Sequence, residues 1–144
     1  MVEAKNIMLV DDEEPFVEAM TRRLSKRGFN VIGVFSGNEA LKKLKSNTTI
    51  EVVILDVKMP GMDGIDTLKE IKRQFPLIEV IMLTGYATVE TAIEGMKLGA
   101  FDYLMKPTDM VQLLTKIEEA GDKKNKHEEK IREAKIKELS SRFV

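Results

Sequence analysis

Three aspartates each close a short apolar run: Asp11 and Asp12 follow Asn6-Ile7-Met8-Leu9-Val10, and Asp56 follows Glu51-Val52-Val53-Ile54-Leu55. Such runs read as strands buried on both faces of a parallel sheet. The carboxyl ends of parallel strands share one edge, the crevice where open α/β folds bind ligands. Carboxylates gathered there repel, by about 4 kcal/mol for two unit charges ~4 Å apart at an effective dielectric near 20. A fold is stable by only about 5–15 kcal/mol, so the cluster needs a use. A hard divalent cation is one and a carboxylate nucleophile is another. Thr84 closes Val80-Ile81-Met82-Leu83, and Lys106 follows Phe101-Asp102-Tyr103-Leu104-Met105. Carboxylates, a hydroxyl and an ammonium at one edge are the groups that phosphoryl transfer onto a side-chain carboxylate requires.

The elements that must position these groups are legible from hydrophobic pattern. Strands are expected at Asn6–Val10, Asn30–Phe35, Val52–Leu55, Ile78–Leu83 and Asp102–Met105. Helices are expected between them. Phe16, Met20 and Leu24 share a face, as do Ala40, Leu41 and Leu44, then Ile65, Leu68 and Ile71. Val89, Ala92, Ile93 and Met96 follow, and last Met110, Leu113, Leu114 and Ile117. Pro15 suits a first helical turn. Ser36-Gly37-Asn38-Glu39 reads as a capping box, Asp63 and Thr88 as caps, and Asp109 with Gln112 as the opening of the fifth helix. Gly28 and Gly99 suit helix ends. Five βα units with short connections predict an α/β fold, a doubly wound parallel sheet.

Composition narrows the class. The 144 residues are 43% hydrophobic and 33% charged with a formal net charge of −1, as expected of one soluble domain with a short appendage. No basic excess suggests nucleic-acid contact. There is no cysteine, so thiolate metal sites and disulfides are excluded, which is compatible with a cytoplasmic location. No signal peptide and no membrane-length apolar run is evident. Residues 1–120 hold 15 Lys and Arg against 19 Asp and Glu, net −4, whereas residues 121–144 hold 8 against 5, net +3. This second segment reads as a charged helical extension with Glu-first i, i+4 pairs.

Taken together, Leu9-Val10-Asp11-Asp12-Glu13-Glu14-Pro15, Leu55-Asp56-Val57-Lys58-Met59-Pro60-Gly61-Met62-Asp63-Gly64, Leu83-Thr84-Gly85-Tyr86-Ala87 and Tyr103-Leu104-Met105-Lys106-Pro107 resemble the receiver domain of two-component response regulators. The resemblance covers about residues 5–120. It implies a flavodoxin-like sheet of strand order 2-1-3-4-5. It implies Asp56 as phosphoacceptor for a sensor histidine kinase. It further implies Mg2+ held by Asp11, Asp12, Asp56 and the backbone carbonyl of Lys58, an oxygen-only set suited to that ion. Thr84 and Lys106 would contact the phosphoryl group, Tyr103 would turn inward as Thr84 moves, and the Lys106–Pro107 bond would be cis. The stretch from Thr84 to Pro107 is similar to receivers of enhancer-binding transcription activators, in which an output domain follows. No ATP-binding glycine loop is present in this chain.

Taken singly, some of these residues have plainer readings. Asp12 suits a helix cap ahead of Glu14, and Asp56 a turn ahead of Met59-Pro60-Gly61. A cap accounts for one carboxylate and not three. Tyr103 could be strand packing. The Met residues read as core filler, and His127 as a solvated residue of the charged segment. A flavin carrier would need a phosphate-binding loop where Asp11-Asp12-Glu13-Glu14 stands. A carboxylate-nucleophile phosphatase would need an Asp-x-Asp pair after the first strand. A stand-alone receiver acting only through protein contacts remains the alternative. The fifth helix presents Met110, Leu113, Leu114 and Ile117, more apolar positions than one sheet face needs if some stay outward, and Ile136, Leu139 and Phe143, with Ile131 beside them, form a short coiled-coil seam. Both point to a homodimer, with Gly121 as a break in the helix.

Overall fold

The computed structural model describes residues 5–47, 49–59 and 61–142. Pro60 of the loop motif and Phe143 of the expected seam lie outside the described residues. The chain alternates β1 (Asn6–Val10), α1 (Glu14–Lys26), β2 (Asn30–Val34), α2 (Gly37–Ser46), β3 (Val52–Leu55), α3 (Gly64–Gln74), β4 (Glu79–Thr84), α4 (Val89–Lys97), β5 (Asp102–Met105) and α5 (Met110–Arg142). All neighbouring strands pair in parallel, in the order β2-β1-β3-β4-β5. Each face of the sheet carries its own core. Met8, Val10, Val53, Leu55, Val80 and Met82 meet α2 and α3 on one side. Ile7, Leu9, Val52, Ile54, Ile81 and Leu83 meet α1 and α5 on the other. The central strands are therefore apolar throughout because both of their faces are covered.

Three strand boundaries differ from expectation by one residue, two of them because an amide is diverted. The Phe35 N–H donates to Glu39 Oε2 at 3.1 Å, so β2 stops at Val34. The Ser36–Glu39 cap thus closes on Phe35 rather than on Ser36 itself, while Ser36 Oγ accepts from the Glu39 N–H at 3.2 Å. The Ile78 N–H donates to the Phe75 carbonyl at 3.0 Å, so β4 begins at Glu79 and ends on Thr84. Asp63 and Thr88 cap α3 and α4 as expected, the latter in a box completed by Thr91. Asp109 Oδ1 accepts from the Val111 N–H at 2.9 Å and opens α5. Gly28 and Gly99 leave their helices at φ of +91° and +101°, a conformation glycine adopts without strain.

The fifth helix departs most from expectation. Leu113 and Ile117 are fully buried, and Met110 and Leu114 pack half-buried against the same core. The sheet face therefore uses all four, and in the first two turns of the helix Val111 is the large apolar residue left outward. Gly121 does not interrupt the helix. It is buried, and α5 continues through it to Arg142 without a break at 120/121. At 33 residues the helix is about 50 Å long. Ile131, Ile136 and Leu139 are exposed. No helix of the described residues is long and apolar enough to cross a membrane.

Candidate functional site

The carboxyl edge of the sheet is built by ladder hydrogen bonds that run one residue past the strands. The Asp11 N–H donates to the Val34 carbonyl at 3.1 Å, Asp56 N–H to Val10 at 3.0 Å, and Lys106 N–H to Thr84 at 2.8 Å. These bonds fix Asp11, Asp56, Thr84 and Lys106 side by side at the ends of β1, β3, β4 and β5. Asp11 and Asp56 are buried, at 1% and 3% exposure, and Asp12 is exposed. One carboxylate oxygen from each of Asp11, Asp12 and Asp56 lies within 4.8 Å of the others. Three carboxylates so close, with nothing softer among them, suit a hard cation that takes oxygen ligands.

The carboxylates are only partly neutralised by the chain itself. Lys106 Nζ donates to Asp11 Oδ2 at 2.6 Å, lies 3.5 Å from Glu13 Oε1 and sits 4.0 Å from the centre of the Phe16 ring. Burial alone would pull the Lys106 ammonium down, but its bond to Asp11 and the charges of Asp11, Asp56 and Glu13 outweigh it and hold the group above the ordinary lysine value. Burial raises the Asp56 carboxyl above the usual carboxylate value, and the Asp11 charge adds to the effect. The Thr84 hydroxyl, Lys106 and the Val57 N–H act against it. The Val57 N–H donates to Asp56 Oδ1 at 2.9 Å. The Thr84 hydroxyl is fully buried beside Asp56 and also accepts from the Tyr86 N–H at 3.1 Å.

Asp12 is no helix cap here. Glu13 occupies the cap position of α1 without a side-chain bond, and the Glu13 N–H is taken by Asp11 Oδ1 at 2.9 Å. The Asp12 carboxylate is left to face the crevice. Around the mouth stand Asp12, Glu13, Lys58, Met59 and Tyr86, enclosing a cavity of about 440 Å3. Lys58 Nζ lies 4.6 Å from the Tyr86 ring centre, so the loops after β3 and β4 meet across that mouth. The Lys106–Pro107 peptide is cis.

Tyr103 is half-buried, with its ring against the α2–α3 side core. Its hydroxyl pairs with Thr91 Oγ1 at 2.8 Å, which ties β5 to the capping box of α4. Sequence reasoning missed Thr91 because nothing in spacing reveals a contact across 12 residues. It also missed Gly64. A Cβ there would lie 1.9 Å from the Asp56 carbonyl and 2.6 Å from Val57 Cα. The loop carrying Asp56 thus folds flat onto the start of α3 only with glycine at that position, and the Gly64 N–H bonds the Val57 carbonyl at 2.6 Å. The Asp63-Gly64 pair in the loop motif was the available signal.

A family model described as the response regulator receiver domain matches residues 7–118. The transcriptional regulatory protein ZraR of Escherichia coli strain K12 is 42% identical over 115 residues, which are 80% of this chain and 26% of ZraR. The DNA-binding transcriptional regulator NtrC of Salmonella typhimurium strain LT2 is 36% identical over 114 residues, 79% of this chain and 24% of NtrC. The chain thus spans about a quarter of the length of these curated relatives. The crystal structure of a response regulator receiver domain protein from Clostridium thermocellum superposes with a TM-score of 0.80 at 38% identity, covering 84% of this chain and 97% of that one. With its parallel 2-1-3-4-5 sheet and its carboxylates gathered at the carboxyl edge, the chain belongs to the receiver domain family of two-component response regulators.

Proposed function

We propose that this receiver accepts a phosphoryl group on Asp56 from a sensor histidine kinase and thereby switches the surface formed by α4, β5 and α5. The observation that carries the reading is the buried Asp56 carboxylate, clustered within 4.8 Å of Asp11 and Asp12 and flanked by the Thr84 hydroxyl and the Lys106 ammonium. A carboxylate oxygen of Asp56 attacks phosphorus. The P–N bond to the kinase imidazole breaks, its electron pair returns to the ring nitrogen, and the acyl phosphate forms with no change of oxidation state. Asp11, Asp12, Asp56 and the Lys58 carbonyl would hold Mg2+, which supplies positive charge to the phosphoryl oxygens. Beyond the N–H given to Asp11 and the long bond to Glu13, Lys106 has a third donor to turn to a phosphoryl oxygen on Asp56. The Thr84 hydroxyl, already beside Asp56, donates to another.

The new bonds select one arrangement of the β4–α4 loop, and the change passes to Tyr103 through Thr91. Tyr86, Val89, Ile93, Met96, Met105 and Val111 are exposed along that side of the domain, a concentration of apolar surface that suits a partner. On this reading residues 1–120 are the receiver and 121–144 an extension leading to an output domain or partner. The chain works in the cytoplasm, and its only catalysis is of its own phosphorylation and dephosphorylation. The tail residues Ile131, Ile136 and Leu139 join two copies in a homodimer.

A small acyl phosphate with Mg2+ is expected to add one phosphoryl group to the wild type and none to Asp56→Asn, read by intact mass. Labelling of the variant at the wild-type level would falsify the assignment of Asp56.

A further inference from the structure

At the opposite edge of the sheet lies a set of charged groups that phosphoryl transfer does not use. Glu79, the first residue of β4, is 2% exposed, 3.7 Å from Lys72 Nζ and 3.5 Å from Lys123 Nζ. Glu51, just ahead of β3, accepts the Asn6 N–H at 3.2 Å through one oxygen and Asn125 Nδ2 at 3.3 Å through the other. Lys5 pairs with Glu118 at 3.5 Å and Asp122 at 3.3 Å, its stem lying across Gly121. Lys124 is 7% exposed. It lines a cleft of about 290 Å3 with Leu44, Ile50, Phe75 and Ile78, and its ammonium bonds Glu128 at 2.5 Å. Four successive residues of α5, Asp122 to Asn125, are thus each anchored: to Lys5, to Glu79, in the cleft and to Glu51.

This turn sits where the helix would otherwise fail. Gly121 costs about 1 kcal/mol of helix propensity relative to alanine. Beyond Asn125 the helix is exposed apart from Glu128, and an isolated segment of that length is marginal in water because its first turn must nucleate unaided. An anchored turn removes that nucleation step. It also fixes an axis, since its partners come from the starts of β1, β3 and β4. Glu79 adds firmness. A carboxylate this buried is stable only while its ammonium partners stay in place, and Lys123 brings one of the two from α5.

We propose that Asp122–Asn125 form an ionic joint that seats α5 on the amino-terminal edge of the sheet and sets both the helical order and the direction of residues 126–142. A movement of α5 then carries the tail with it as one body. The joint stands whether or not Asp56 takes a phosphoryl group, so its test uses the unphosphorylated chain and the two readings fail separately.

The chain lacks cysteine, so Lys42→Cys on α2 and Lys135→Cys on the tail accept a unique pair of spin labels on the full chain. The distance distribution is expected to be narrow in the otherwise unchanged protein. It is expected to be broad when Asp122→Ala, Lys123→Ala and Asn125→Ala are combined. Amide exchange over residues 126–142 should then be roughly tenfold faster, a larger change than any around Glu79, which keeps Lys72. Asn125→Ala alone leaves every charge in place, and it should broaden the distribution in part even if the triple variant loosens the body. A distribution as narrow in both variants as in the parent, with unchanged tail exchange, overturns the proposal.

Discussion

Asp56 is held in conflict by its surroundings, and the conflict has a measurable sign. Its folded carboxyl lies above the ordinary aspartate value because it is buried and faces Asp11. The folded state therefore binds this proton more tightly than the unfolded chain. Stability is lost as pH rises from about 3.9, the unfolded value, through the raised folded value, and the loss is complete above it. Asp56→Asn carries no titrating proton and keeps an oxygen for the Val57 N–H. In chelator at neutral pH it should be more stable than the wild type by on the order of 1–2 kcal/mol, and the gap should close in acid. Denaturant midpoints across pH measure this, and a variant less stable at pH 7 refutes it. Lys106→Ala has the opposite sign, because it leaves Asp11 buried without its ammonium. Since Lys106 keeps some solvent contact, a loss of roughly 1–3 kcal/mol is expected, below the full range for buried pairs. Mg2+ should restore part of it by binding the freed carboxylates. Asp12→Ala should weaken that binding and slow phosphorylation, read by titration and by mass.

At the scale of the elements, function depends on where loops close. Gly64 lets α3 begin directly against the Asp56 backbone. Gly64→Ala should destabilise the fold by on the order of 3 kcal/mol through overpacking, and by thermal melts should be far worse than Gly61→Ala, whose site has open space but a φ of +76°. If the two changes prove equally mild, the loop is softer than its contacts indicate. The Tyr103–Thr91 pair joins β5 to the start of α4. Tyr103→Phe removes that bond and keeps the ring. Amide exchange at the first turn of α4 should quicken while exchange in the β1–β3 centre stays the same.

For the whole molecule, the expectation is a shift between two arrangements of one fold. Fluoroberyllate, which mimics the phosphoryl group, should alter amide exchange most in α4, β5 and the start of α5. Changes confined to residues 11–60 would remove the case for that surface as the output. Dimerisation through the tail rests on exposed Ile131, Ile136 and Leu139 alone, because the core takes Met110, Leu113, Leu114 and Ile117. Ile136→Lys with Leu139→Lys in the full chain should make any dimer monomeric in sedimentation at tens of micromolar, with phosphorylation of Asp56 unaffected. A dimer that survives both changes places the contact elsewhere, and the exposed side of α4 is then the next apolar surface to consider.

What the sequence determined by itself was everything governed by local pattern. Strands buried on both faces must be apolar along their length, so Asn6–Val10 and Val52–Leu55 were legible to the residue, and their ends placed Asp11, Asp12 and Asp56 at one edge. Caps depend on bonds within four residues, so Ser36, Asp63 and Thr88 were legible too. The motifs then pointed to the family and, through it, to the strand order. Tertiary structure decided whatever depends on groups distant in the chain. Whether Met110, Leu113, Leu114 and Ile117 all turn inward was open for this reason, because how many apolar positions a sheet face absorbs depends on the neighbours of β3 and β4 in space. Gly121 looked like a break because propensity counts only the local backbone, whereas Lys5, more than a hundred residues away, covers it. Lys106 on Asp11, Thr91 on Tyr103, and Glu79 between Lys72 and Lys123 are likewise partners that no spacing encodes, since the sheet order alone brings them together.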